Sequence, residues 1–147
     1  MRQTGAYSAI DRDPASRVIS VAYYALINVK DYEEDLRKQY NLEWVSLNEI
    51  PQLFSDHKEM VDDALLLLQK RITVEPICFP LLPELFTLTQ FQNVYEAITR
   101  KKVDKRNFRK KIKVSGILTE TDKIDKTTSK RGAILYRLNN DIDDFQF

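Results

Sequence analysis

Between Asp104 and Gly116 the chain reads DKRNFRKKIKVSG, and this stretch leaves few ways to fold. Asp104 is a residue type that caps a helix N-terminus by accepting a first-turn backbone N–H. Gly116 suits the left-handed conformation that ends a helix. Between them, Phe108 and Ile112 stand one turn apart and most other positions are basic. The segment therefore predicts a short helix with one narrow apolar stripe, covered on that side and bare on the other. At about 100° per residue, Arg106, Lys110 and Lys113 cluster opposite Phe108 and Ile112. Asn107 lies beside that cluster, and Arg109 falls at its edge.

The flanks set the context. Upstream, Phe91, Val94, Tyr95 and Ile98 share one helical face, which predicts a helix from about Gln90 to Thr99. Thr89 and Gln92 have the spacing of a capping box at its start. Only Arg100 to Val103 separate the two helices. Downstream come Ile117-Leu118-Thr119, a polar loop, and an apolar-rich strand from Ala133 to Leu138. Helix, short turn, helix and hairpin is the layout of a winged helix-turn-helix.

Charge follows the same division. Residues 100–137 hold 14 Lys and Arg against 4 Asp and Glu, whereas residues 1–99 hold 9 against 15. A formal net charge of +1 conceals this block, which would draw polyanions toward it. Arg can bond guanine bidentately and Asn can bond adenine, while Lys serves mainly phosphates. Lys105, Arg106, Asn107, Arg109, Lys110 and Lys113 on the helix are therefore candidate contacts to double-stranded DNA. In the expected hairpin loop, which also holds Lys123, Lys126 and Gly132, Lys130 and Arg131 join them. A solvated basic face is the plainer alternative. Basic residues on helix and wing together favour the DNA reading.

The first half offers less chemistry. Segment 5–10 reads as a strand, 18–29 as a long, largely buried strand, and the alternation from Glu43 to Leu47 as a further one. Ser55 and Asp56 are N-cap candidates for a helix from about Asp56 to Lys70, with Met60, Val61, Ala64, Leu65, Leu68 and Ile72 at helical spacing. Pro76, Pro80 and Pro83 make 73–82 a stiff connector. The expected organisation is α+β: a first domain over 1–72, a linker over 73–82, a winged helix over 83–140 and an acidic tail over 141–147.

Asp11, Arg12, Asp13 and Arg17 form a charged cluster beside a strand, a weak candidate for ligand binding. A turn with salt-bridged ends is the favoured reading of it. His57, at a helix start, is a surface or capping residue. Cys78, between Ile77 and Phe79, is a packed small side chain. One Cys and one His supply neither a disulfide framework nor a zinc site, and nothing calls for a catalytic residue, a metal or a cofactor. No run of 18 apolar residues suggests a membrane partner, and the single thiol fits a reducing cytoplasm.

The stretch LPELFTLTQFQNVYEAITRKKVDKRNFRKKI, followed by SKRGAILYRLN, resembles the C-terminal domain of the Nudix-related transcriptional regulators of the NrtR type. AIDRDPASRVISVAYYALI looks like a late strand pair of a Nudix fold, and EWVSLNEIPQLFSDHKEMVDDAL like its last strand and closing helix. The resemblance implies a partial Nudix-like domain followed by a DNA-binding domain. The Nudix box, G-x5-E-x7-R-E-U-x-E-E-x-G-U, is absent: none of Gly5, Gly116 and Gly132 begins it. Its glutamates hold the divalent metals of pyrophosphate cleavage. The resemblance thus implies a regulator shortened at its N-terminus and disfavours the alternative, a Nudix hydrolase of nucleotide derivatives. It further implies control of a metabolic operon, a homodimer on a pseudo-palindromic site, and a small-molecule effector such as ADP-ribose or a sugar metabolite.

Overall fold

The polypeptide folds as two units, Met1–Leu67 and Leu68–Phe147, and the computed structural model describes residues 1–28, 38–127 and 132–139. In the first unit, strand β1 (Arg2–Tyr7) pairs antiparallel with β2 (Ser20–Tyr24), from Arg2 opposite Tyr24 to Tyr7 opposite Ser20. The register shifts between Gln3 and Gly5. Helix α1 (His57–Arg71) begins in this unit. The Tyr7 hydroxyl donates to Asp63 Oδ2 at 2.9 Å, tying β1 to α1.

Three expectations for this half change. The first strand ends at Tyr7 rather than running through 5–10, because Ser8 onward belongs to the loop: Arg17 Nη1 donates to the Ser8 carbonyl at 2.6 Å. The second strand is five residues long, and none of them is buried. A two-stranded sheet has only one face to cover, so Val21 and Tyr23 point to solvent. Glu43 to Leu47 forms no strand. It has no described strand edge to pair with, and it leads into a turn in which Glu49 N–H donates to the Ser46 carbonyl at 2.9 Å. Alternation of side chains does not make a strand without a ladder partner.

The second unit is organised around aromatic rings. A 3-10 turn (Phe79–Leu81) leads into β3 (Phe86–Thr87), α2 (Leu88–Thr99), α3 (Lys105–Ser115), β4 (Leu118–Asp125) and β5 (Ala133–Leu138). The sheet order is β3-β5-β4, antiparallel throughout. Phe79, Phe86, Phe91 and Phe108 pack in sequence, with centroids 5.8 Å apart for Phe79–Phe86 and 4.9 Å for Phe79–Phe91. Cys78, Ile112 and Ile117 are fully buried beside them. Each such apolar side chain contributes roughly 1.5–3 kcal/mol by leaving water. The mixture of helices and small antiparallel sheets is α+β, and β3, α2, α3, β4 and β5 together form a winged helix.

The stretch read as a linker, 73–82, divides differently. Burial of Cys78 and Phe79 makes its last part core of the second unit, since a Pro-restrained chain can still deliver apolar side chains inward. The first helix of the motif also starts earlier than its expected Gln90. Its N-cap is Thr87, whose Oγ1 accepts from Gln90 N–H at 3.2 Å, while Gln90 Oε1 accepts from Thr87 N–H at 2.7 Å. The capping box is thus Thr87 with Gln90, not Thr89 with Gln92. Leu88 is buried and has to be inside the helix, which selects the earlier Thr. Among the described residues no helix is long and apolar enough to cross a membrane.

Candidate nucleic-acid interface

Helix α3 forms as its caps dictate. Asp104 Oδ1 accepts from Asn107 N–H at 2.8 Å, and Gly116 closes the helix with φ of 68°. Phe108 and Ile112 are buried, and Lys105, Arg106, Asn107, Arg109, Lys110 and Lys113 are exposed. The helix therefore presents a mostly basic surface where the core does not claim it, with Val114 as an exposed apolar exception.

The neighbouring elements turn part of this surface into a groove of about 1140 Å³. Lys105, Arg109, Lys110 and Lys113 form one wall. Thr89, Gln90 and Asn93 of α2 form another, and Gly132, Ala133 and Ile134 at the start of β5 form the third. Among the described residues, none of those lining it is acidic. Arg106 and Asn107 are exposed in the first turn but do not line the groove. The helical wheel identifies the side away from the core; α2 and β5 decide which flank becomes concave, and they stand on the Lys105–Arg109 flank.

The wing is more strand than expected. Lys123 lies in β4, which pairs with β5 as far as Asp125 opposite Ala133. A shift between Glu120 and Ile124 bulges β4, and Thr121 Oγ1 donates to the Leu135 carbonyl at 2.7 Å there. Gly132 adopts φ of 75°, and a side chain in its place would run into the Ile124 methyl. Its glycine is thus required by the wing itself. Lys130 and Arg131 lie outside the described residues.

The turn between the helices is held from α2. Arg100 ends α2 in the left-handed region, φ 56°. Glu96 Oε1 accepts from Val103 N–H at 3.1 Å and from Gln92 Nε2 at 2.9 Å, and Gln92 Nε2 also donates to the Val103 carbonyl at 3.2 Å. Lys102 Nζ donates to Glu96 Oε2 at 2.7 Å. Lys102, Gln92 and the Val103 N–H together hold the Glu96 carboxyl down at about 2. Sequence reading missed this arrangement, although Q-x-x-x-E on a helix face next to a short turn is a visible signal.

The weak ligand candidates in the first unit serve the loop they belong to. Arg12 is buried and pairs bidentately with Asp56, Nε to Oδ2 at 2.7 Å and Nη2 to Oδ1 at 2.9 Å. Its carbonyl accepts from the Ser55 hydroxyl. The pair raises the Arg12 guanidinium and lowers the Asp56 carboxyl. Asp13 Oδ1 accepts from Ala15 N–H at 2.8 Å, and Arg17 holds Ser8. Asp11 and Arg17 are exposed, and Asp11 lies on a shallow hollow with Tyr7, Asp56 and Glu59. His57 lies edge-on to Phe54 with centroids 6.0 Å apart. Cys78 is fully buried, which pushes its thiol up to about 12. No group of residues suited to hold a metal occurs among the described residues.

Comparison with known proteins agrees with this geometry. Residues 78–138 match the family model of the NrtR DNA-binding winged helix domain. The chain is 34% identical over its whole length to the ADPR responsive transcriptional repressor NtrR of Acinetobacter baylyi, and spans 59% of that protein's length. Among solved structures, the crystal structure of Shewanella oneidensis NrtR complexed with a 27mer DNA is similar with a TM-score of 0.74 at 23% identity, covering 94% of this chain and 64% of that one. A further crystal structure of Shewanella oneidensis NrtR gives 0.67 at 23% identity, covering 99% and 67%. Residues 78–138 thus form a winged helix of the NrtR DNA-binding kind, and the chain as a whole is similar to NrtR-type regulators over part of their length.

Proposed function

We propose that the chain is a DNA-binding transcriptional regulator whose second unit grips a duplex between α3 and the wing. One observation carries this reading: Lys105, Arg109, Lys110 and Lys113 converge on one groove whose lining, among the described residues, holds no acidic side chain. A polyanion entering it releases its counterions and gains affinity. Arg106 and Asn107, exposed in the first turn of α3, and Arg109 inside the groove are the base-reading residues. Lys105, Lys110 and Lys113 take phosphates, and Lys130 and Arg131 extend the grip from the wing. Fluorescence anisotropy tests this with a duplex enriched by the chain from a randomised library. Tight, salt-sensitive binding that prefers the enriched duplex over a random one is expected; no preference would refute it.

Three further parts complete the reading. The Acinetobacter baylyi protein is a repressor and responsive to ADPR, which supports a repressor role with ADP-ribose as effector; a metabolic operon as target and the cytoplasm as location belong to the same proposal. A ligand that binds the DNA-free form better releases the operator by linkage. A homodimer would place two winged helices on a pseudo-palindromic site. Hydrolysis is not part of this chain's role, because its sequence carries no Nudix glutamate signature.

A further inference from the structure

We propose that Gln92 and Glu96 are positioning residues for DNA recognition: from one face of α2 they hold both backbone polar groups of Val103 and so fix the direction in which α3 starts. This rests on the reading of α3 as the DNA-reading helix. Gln92 and Glu96 are four residues apart and therefore adjacent on the helix. Glu96 Oε1 takes the Val103 N–H at 3.1 Å, and Gln92 Nε2 gives to the Val103 carbonyl at 3.2 Å. The two side chains are also bonded to each other at 2.9 Å, so neither can swing away alone. Val103 is the residue before Asp104, the N-cap of α3. Once the Val103 peptide groups are held, the first turn of α3, with Lys105, Arg106 and Asn107, has one exit path from the turn.

The ion pair to Lys102 is a separate matter. Lys102 is 93% exposed and Glu96 only 9%. The ammonium neutralises the carboxylate from outside, while the grip on Val103 is made by Oε1 on the inner side. A glutamine at position 96 would keep an oxygen for Val103 and lose only the ion pair. An alanine would lose both and leave the Val103 N–H without its acceptor, which costs more than the bond itself contributed. Loosening the turn affects contacts that need one orientation of α3, the base contacts, more than contacts to phosphates, which are tolerant of small shifts.

The experiment compares affinities of the full chain and its variants for the enriched duplex and for a random duplex at one salt concentration. Circular dichroism checks that each variant is folded. Glu96→Ala is expected to lower the ratio of the two affinities by about tenfold, chiefly through the enriched duplex. Glu96→Gln is expected to restore the ratio to within about twofold of wild type, and Lys102→Ala to leave it there. Should Glu96→Ala fail to fold, Gln92→Ala decides, and a several-fold fall in the ratio is expected. An unchanged ratio in folded Glu96→Ala or Gln92→Ala, or equal losses on both duplexes, would overturn the positioning role alone. Absence of any preference in the wild-type chain would overturn the DNA reading and the positioning role with it.

Discussion

The ring of Phe108 packs against that of Phe91 with centroids 5.4 Å apart and planes at 60°. This pair joins the underside of α3 to α2, and Tyr95 completes the seat with its ring 5.6 Å from Phe108. Phe108 is, with Ile112, one of the two buried anchors of a helix whose remaining surface is mostly charged. Phe108→Ala should cost about 3–5 kcal/mol, and Phe108→Leu about 1.5 kcal/mol or less. Urea denaturation of the two variants measures both. A loss below about 1 kcal/mol for Phe108→Ala would mean that α3 is held elsewhere.

The turn that Glu96 closes should be acid-sensitive. Its carboxyl stands at about 2 in the folded chain, against an ordinary 4.5, through Lys102, Gln92 and the Val103 N–H. The unfolded chain binds that proton more readily. Stability from this group is therefore fully present above pH 4.5 and is lost as pH falls toward 2. Thermal melts of wild type and Glu96→Gln between these limits should show a shallower decline for the variant. Identical declines would assign the acid sensitivity to other carboxylates.

Salt dependence separates the two kinds of contact on α3. Lys110→Ala should weaken binding to enriched and random duplexes alike and flatten the salt slope by about one unit. Arg106→Ala, Asn107→Ala and Arg109→Ala should instead cost about 1–3 kcal/mol on the enriched duplex and relax base preference at one position each. Uniform losses for all four would make α3 a phosphate clamp, with base readout in the wing.

What could be read from the chain depended on how local its cause was. Helix α3 was legible down to its caps, because Asp104, Gly116 and the Phe108–Ile112 stripe all act within the helix itself. The strand from Ala133 to Leu138 was legible from its apolar run, and it forms because β3 and β4 pair with it on either side. The capping box slipped by one Thr, since Thr87 and Thr89 both have a Gln three residues on and only burial of Leu88 decides between them. The groove was half legible. Which residues are exposed follows from the wheel, but which of them line a concavity depends on α2 and β5, so Lys105 and Arg109 gained a place there and Arg106 and Asn107 did not. In the first unit, Arg12 looked available to a ligand because its partner Asp56 is 44 residues away.

Catalysis of pyrophosphate cleavage is not expected. Purified chain with magnesium and ADP-ribose should show no turnover above a protein-free control. Turnover that scales with chain concentration would require metal-holding carboxylates that the Nudix signature does not supply here.

The central claim is that the Lys105–Arg109–Lys110–Lys113 groove is where DNA binds, and its direct test is a salt titration. Affinity of wild type and of the fourfold Ala variant for the enriched duplex would be measured between about 50 and 200 mM salt. With folding verified by circular dichroism, the variant should bind far more weakly, and its logarithmic salt slope should be smaller by about three units, close to 0.9 for each phosphate contact removed. A folded variant that binds as tightly as wild type, with the same slope, would contradict the account.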